Sequence, residues 1–271
     1  MKRVAIYLAL SILALGMVAP LAWAVLVSLH KPWSEIPEYS HLVPSQAQWD
    51  NYATVLFRTD LPVFRFALNS LFVCSMVVLG QILVCSLAAY AFSRLRFQGK
   101  EVLFALVLGS MMFGSTVTQI PVFLTMRHFG WLDTYLALIV PGLGSAFGVF
   151  LLRQAFMQVP RELDEAARID GAGDWVIYSR VVMPMSKAAV ATLAAFAFIA
   201  TWNDFFWPLI ATTSLNMRTL EVGLSTFKNS YGGQNWPLQM TAAVIVVLPA
   251  LAVFLVCQRW FVRGAAVGSL K

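Results

Sequence analysis

Apolar residues run through this chain in long unbroken blocks, and polar residues are confined to the intervals between them. Six blocks stand out: Val4–Leu29, Phe66–Phe92, Val102–Thr125, Tyr135–Leu152, Lys187–Thr212 and Met240–Trp260. A helix needs roughly 20 apolar residues to cross the hydrocarbon core of a bilayer, and each block meets or approaches that length. The pattern predicts an all-α, polytopic membrane protein with six transmembrane helices. Composition agrees: 59% of the 271 residues are hydrophobic and 12% are charged, whereas a soluble domain is about a quarter charged. The chain divides into a first transmembrane helix with its extracytoplasmic loop (1–65), a core holding the other five spans (66–260) and a cytoplasmic C-terminal tail (261–271). The longest polar interruption of the core lies at 157–186.

The charges give the spans a direction. With the N-terminus inside, thirteen of the nineteen Lys and Arg residues fall on the cytoplasmic side and six outside. That bias places both termini of a multi-pass membrane protein in the cytoplasm. It also accounts for the net charge of +6 without a nucleic-acid partner. Trp23, Trp33, Trp131, Trp207, Trp236 and Trp260 fall near the predicted boundaries, as interfacial anchors do.

The first block has two readings. Lys2-Arg3, an apolar run and Ala22-Trp23-Ala24 resemble a cleavable signal peptide. The run continues through Val25-Leu26-Val27, however, and is long enough to be an uncleaved anchor. Elsewhere, Gly144/Gly148 and Ser110/Gly114 are small-residue steps that let helices approach closely. Pro121, Pro141, Pro208 and Pro249 each remove a backbone donor and can kink or end a helix. Cys74, Cys85 and Cys257 lie inside apolar blocks and read as small hydrophobes. His30, His41 and His128 match no metal-binding spacing, so no metal is expected.

The interruption reads EAARIDGAGDWVIYSRVVMP from Glu165 to Pro184. Pro160 suits the start of a helix. Arg161/Glu165 and Asp164/Arg168 are spaced as i,i+4 ion pairs. Gly171 and Gly173 end the helix, and at Gly171 a positive φ and a close approach are expected. Asp174 is placed to cap a second short helix that stops at Pro184. The product is a helix–turn–helix with a small Ala-rich face and a charged rim. From the residues alone, it could equally be an amphipathic loop resting on lipid.

This stretch resembles the EAA loop of bacterial ABC importer permeases, whose pattern is EAA, three residues, Gly, nine residues, Ile, one residue and Leu-Pro. Glu165, Ala166, Ala167, Gly171 and Pro184 stand at the matching positions; Val181 replaces Ile and Met183 replaces Leu. NSLFVCSMVVLGQILVCSLAAYAFSRLRFQGK, the WND of the fifth block and the ending QRWFVRGAAVGSLK are similar to the carbohydrate-uptake branch, in particular the smaller six-span partner of maltose-type permease pairs. The resemblance implies a type I ABC importer permease fold and half of a translocation pore for a sugar or sugar-like solute, such as glycerol 3-phosphate. It implies four kinds of partner: a second homologous permease, two ATP-binding subunits, an extracytoplasmic solute-binding protein and the bilayer. Glu165, Ala166, Ala167, Arg168, Asp170, Gly171, Val181, Met183 and Pro184 would form the coupling helix that docks on an ATPase subunit. The tail Arg263–Lys271 would reach the same subunits or simply fray.

The chain has no GxxxxGK[ST] loop; Gly99-Lys100 is followed by Glu101. It is therefore expected to be no enzyme and to carry no cofactor, with ATP and Mg²⁺ held by the ATPase subunits. Polar groups within the blocks are costly and usually face a cavity or a partner. Asn203 and Asp204, about 24–26 Å along the fifth block at ~1.5 Å per residue, are the first candidates for the translocation pathway, with Trp202, Asn69 and Gln119. Asn69, Gln81, Gln119, Asn203 and Asp204 include no nucleophile-and-base pair for an intramembrane enzyme. A permease for a non-sugar solute and a stand-alone secondary transporter remain the alternatives.

Overall fold

A computed structural model describes residues 2–34, 43–57, 62–230 and 235–268, and the described residues are all helix and loop. Among the described residues, three helices are long and apolar enough to cross a bilayer without interruption: α1 (Lys2–Ser28), α3 (Val63–Arg94) and α14 (Trp236–Gly268). The other three predicted spans are helical but broken. The third becomes α4 (Lys100–Ser110) and α5 (Ser115–His128), separated at 111–114, so neither piece alone spans. The fourth becomes α6 (Tyr135–Ile139), a 3₁₀ turn (Val140–Gly142) and α7 (Ala146–Gln158), with a bend of 43°. The fifth is α11 (Lys187–Trp202), which stops at Asn203 before a short α12 (Phe206–Ala211). Bends at Pro141 and at the Ser186 junction beyond Pro184 follow from the missing N–H of proline. Between Asp174–Met185 and α11 the axis turns by 79°.

The residues form two compact units. The first takes in Met1–Leu68 and Arg218–Leu251. Here the side chain of Asn51, on α2 (Asp50–Leu56), donates to the Ser28 and His30 carbonyls at 2.7 and 2.8 Å. Thr241 donates to the same Ser28 carbonyl at 3.2 Å. These bonds close the orphan carbonyls at the end of α1. Gly223, on α13 (Leu220–Ser230), lies so close to Phe66 that a Cβ there would overlap the ring. Most of α1 is uncovered; only 6% of its apolar window is buried. An apolar surface of that kind suits lipid or a protein partner.

The second unit takes in Asn69–Met217 and Ala252–Lys271, and it contains two cores. One joins Cys85, Ala89 and Tyr90 of α3 to Phe104 of α4, Val149, Leu152 and Phe156 of α7, and Leu193 of α11. The other joins Val73 and Val77 of α3 to Met126, Ala137, Leu138, Trp207 and Ala211. Trp207 is thus a core residue and not an interfacial anchor; its indole donates to the Ala137 carbonyl at 2.9 Å. Asp133, at a φ of 60°, accepts from the Thr213 and Ser214 amides and the Ser214 hydroxyl at 2.9–3.0 Å. Burial pushes its pKa up, but these hydrogen bonds together outweigh that and hold the carboxyl below its ordinary value.

Of the two small-residue steps, only Gly148 makes a close approach. A Cβ there would lie 2.9 Å from both Cys85 Sγ and Leu193 Cδ1, whereas Gly114 and Gly144 face open space. Ser145 instead caps α7 by accepting the Gly148 amide at 3.1 Å. Cys74 and Cys85 are buried, as expected; the side chain of Cys257 lies outside the described residues. Gly148→Ala is expected to cost about 1–3 kcal/mol through overpacking. Thermal unfolding of the detergent-solubilised permease checks this, and Cys85→Ala in the same chain should recover part of the loss.

Candidate coupling loop and intramembrane cavity

The polar loop folds as two short helices around a tight reversal. After α8 (Arg161–Ile169), the Ala172 amide donates to Ala167 at 2.9 Å and the Gly171 amide to Arg168 at 3.0 Å. That is a Schellman closure, and it places Gly171 at a φ of 82°. The expected close approach is absent, since nothing lies within 4 Å of a Cβ built at Gly171. Gly173, not Asp174, then occupies the cap of α9 (Asp174–Val176). A π-helical stretch, Ile177–Val182, leads into α10 (Met183–Met185). The ring of Pro184 would crowd the Arg180 carbonyl in a regular helix, and the wider π turn relieves that contact.

The predicted i,i+4 ion pairs do not form. Asp164 pairs with Arg94 of α3 at 3.3 Å, and Arg168 pairs with Asp174 across the reversal. Glu165 stays exposed and makes no ion pair with Arg161. Arg94 is the anchor. Its side chain is 5% exposed and also donates to the Phe156 and Val159 carbonyls at 2.9 and 2.7 Å. Those carbonyls end α7, where a cation is favoured electrostatically. Nearby, Arg153 donates to the Phe92 carbonyl at 3.1 Å and lies over the Phe104 ring.

The second half of the loop is rooted by Ile177, Tyr178 and Val182, which are buried in the first core of the second unit. The Tyr178 and Ser86 hydroxyls share a hydrogen bond at 2.7 Å, and Tyr178 meets Tyr90 edge to face. Val181 and Met183 pack against this core, as does Ala167, while Pro184 is exposed. At the far end, Ile169 is 87% and Trp175 64% exposed, beside exposed Glu165, Ala166, Arg168 and Asp170. The loop therefore has a buried root and an exposed tip. Sequence spacing did not single out Arg94, Tyr178 or Trp175; the unusual signal was an Arg directly at the end of an apolar block.

The candidate pathway residues separate. Gln119 and Asp204 line one cavity of ≈ 220 Å³ together with Thr118, Thr201 and Trp207. Asn69 is instead a buried structural tie, donating to the Asn216 carbonyl at 2.8 Å and accepting from Tyr135 at 2.7 Å. Trp202 is buried and stacks on Phe198. Asn203 is exposed at the end of α11 and does not line the cavity. Asp204 also accepts the Trp207 amide at 3.2 Å, in the first turn of α12. Among the described residues, no cluster of His, Cys, Asp or Glu could hold a metal ion.

Broken apolar helices, a cavity lined by both polar and apolar side chains and a folded polar loop with an exposed tip fit a membrane permease. The chain belongs to the family of binding-protein-dependent transport system inner membrane components, whose sequence model matches residues 61–267. It is 32% identical to the trehalose/maltose transport system permease protein MalG of Thermococcus litoralis over 100% of this chain and 98% of the relative. It is 34% identical to the sn-glycerol-3-phosphate transport system permease protein UgpE of Yersinia enterocolitica, over 82% and 81%. With the arabinooligosaccharides transport system permease protein AraQ of Bacillus subtilis it shares 32% identity over 99% and 96%. A chain of a bacterial ABC transporter involved in the import of the acidic polysaccharide alginate superposes with a TM-score of 0.82 at 25% identity, covering 96% of each chain. A chain of the bacterial alginate ABC transporter in complex with alginate pentasaccharide-bound periplasmic protein gives 0.60 at 15% identity over 77% and 81%, a likeness of fold alone.

Removing Arg94 would leave Asp164 and two helix-end carbonyls without their cation. Breaking a buried pair in this way costs about 3–5 kcal/mol. Arg94→Ala is expected to lower the thermal stability and membrane abundance of the permease. Arg94→Ala with Asp164→Ala should recover part of both, measured by thermal unfolding and quantitative immunoblotting.

Proposed function

We propose that this chain is one of two homologous permease subunits forming the pore of an ATP-driven importer for a sugar or sugar-like solute. The loop at 157–186 is its coupling element: the exposed tip docks on one of two ATPase subunits, which hold the ATP and Mg²⁺. Both termini and the loop face the cytoplasm, and an extracytoplasmic binding protein delivers the solute. The observation that carries the coupling role is the loop's division into a buried root and an exposed tip. Ile169 and Trp175 leave an apolar surface beyond Glu165 and Arg168, which suits an aromatic anchor in a partner's cleft rimmed by charge. A lipid-resting loop would instead turn those side chains toward the membrane with the rest of its apolar face. The carbohydrate class is supported by relatives named for trehalose and maltose, glycerol 3-phosphate and arabinooligosaccharides.

Two substitutions test the coupling role without touching the root. Gly171→Val forces a β-branched residue into the left-handed region and strains the reversal by about 1–3 kcal/mol. Glu165→Lys reverses charge on the exposed rim. Both variants are expected to insert at wild-type abundance and lose at least about tenfold of transport, a coupling loss of ~1.4 kcal/mol. In the reconstituted complex, the loaded binding protein should no longer stimulate their ATPase activity. Wild-type uptake at equal abundance would refute the assignment.

A further inference from the structure

The cavity that holds Gln119 and Asp204 is where the chain's helices break. Pro141 and Gly142 of the 3₁₀ turn line one wall, and Asp204, in the gap between α11 and α12, lines another. Irregular backbone at membrane depth persists where it is buried in protein or lines a cavity, because its polar groups need partners there. Gln81 supplies one such partner, donating to the Gly142 carbonyl at 2.8 Å. Two breaks meeting at one cavity give it backbone and side-chain polarity that an all-helical wall lacks.

The lining has a definite chemistry. Thr118, Gln119, Thr201 and Asp204 supply donors and acceptors, and Trp207 supplies an indole fixed by its bond to Ala137. Val77, Val122, Leu138 and Pro141 complete the wall with apolar surface. A sugar ring carries hydroxyls around its rim and C–H groups on its faces, so this combination of carboxylate, amide, hydroxyls and indole matches it. At ≈ 220 Å³ the space is smaller than the ~300–1,000 Å³ of pockets for drug-sized ligands, and so suits one ring of a longer solute. No Lys or Arg is among the lining residues. An anionic solute would bring its charge to a carboxylate with no compensating cation, in surroundings of low dielectric.

We propose that this cavity is a transit subsite for one ring of an uncharged sugar, with Asp204 and Gln119 bonding its hydroxyls, and that Asp204 excludes phosphorylated or uronic solutes. The proposal rests on the reading of the chain as a carbohydrate permease, and it narrows that reading to neutral substrates. Asp204 also caps the first turn of α12, so its two roles must be separated. An Asn side chain caps nearly as well as Asp, but its hydrogen bonds to hydroxyls lack the strengthening of a charged acceptor.

The test uses the complete importer, with its second permease, ATPase subunits and binding protein, reconstituted in proteoliposomes. Uptake of maltose, trehalose, arabinobiose and sn-glycerol 3-phosphate is measured for the wild type, D204N and Q119A. The wild type should carry at least one of the neutral sugars and exclude glycerol 3-phosphate. D204N should assemble with wild-type thermal stability yet lose about tenfold of neutral-sugar uptake. Q119A should raise the KM severalfold with assembly intact. Unchanged uptake by D204N would overturn the subsite, because a residue serving only as a cap is served equally well by Asn. Wild-type transport of glycerol 3-phosphate as fast as any neutral sugar would overturn the exclusion of anions while leaving the carbohydrate permease standing. A wild type that carries none of the four solutes would overturn the carbohydrate reading, and the subsite with it.

Discussion

The guanidinium of Arg94 is the constraint on which the working half of this molecule depends. An Arg side chain so nearly enclosed is costly to bury unless its charge is paired. Here one terminal nitrogen donates to both carbonyls that end α7, and the Nε side meets the charge of Asp164 of the loop as an ion pair at 3.3 Å. The end of α3 is thereby held to the end of α7 and to the loop that follows it. Tyr178 adds a second attachment through Ser86 and the buried core. Ile169 and Trp175 thus sit on a loop tied to both α3 and α7.

The same logic governs the membrane-depth breaks. A continuous helix satisfies all its own backbone groups and has nothing to offer a polar solute. Breaking it exposes those groups, which the bilayer tolerates only beside a cavity or a polar side chain. Gln81 at Gly142 and Asp204 at Trp207 are such compensations. The polar loop and the cavity lie in the same compact unit, Asn69–Met217 with Ala252–Lys271. Movement of α3 and α7 is thus movement of elements that belong to the cavity's own unit.

Much of this was legible in the residues, for physical reasons that also mark the limit. Long apolar blocks and a glycine that ends α8 with positive φ are local features, and both appear where the pattern placed them. The breaks within the third, fourth and fifth blocks were less legible, because hydropathy is indifferent to whether 20 apolar residues form one helix or two. The ion pairs went differently from the local rule. An exposed i,i+4 pair contributes only about 0.2–0.5 kcal/mol, too little to hold Asp164 when buried Arg94 needs a counter-charge. Trp207 followed burial over boundary position, and Asn69 proved to be a tie between segments. In each case a tertiary partner outweighed a preference read from neighbours in sequence.

The central claim is that the loop and the helices it is rooted in move as one body when the ATPase subunits close. Pulsed-EPR distances in the assembled importer test it directly, with spin labels replacing exposed Ile169 at the loop tip and exposed Met157 near the end of α7. The account predicts the same distance in the nucleotide-free and ATP-bound states, while each label moves relative to one placed on the second permease. A change of several ångströms between Ile169 and Met157 would show that the loop swings independently, and would contradict the account.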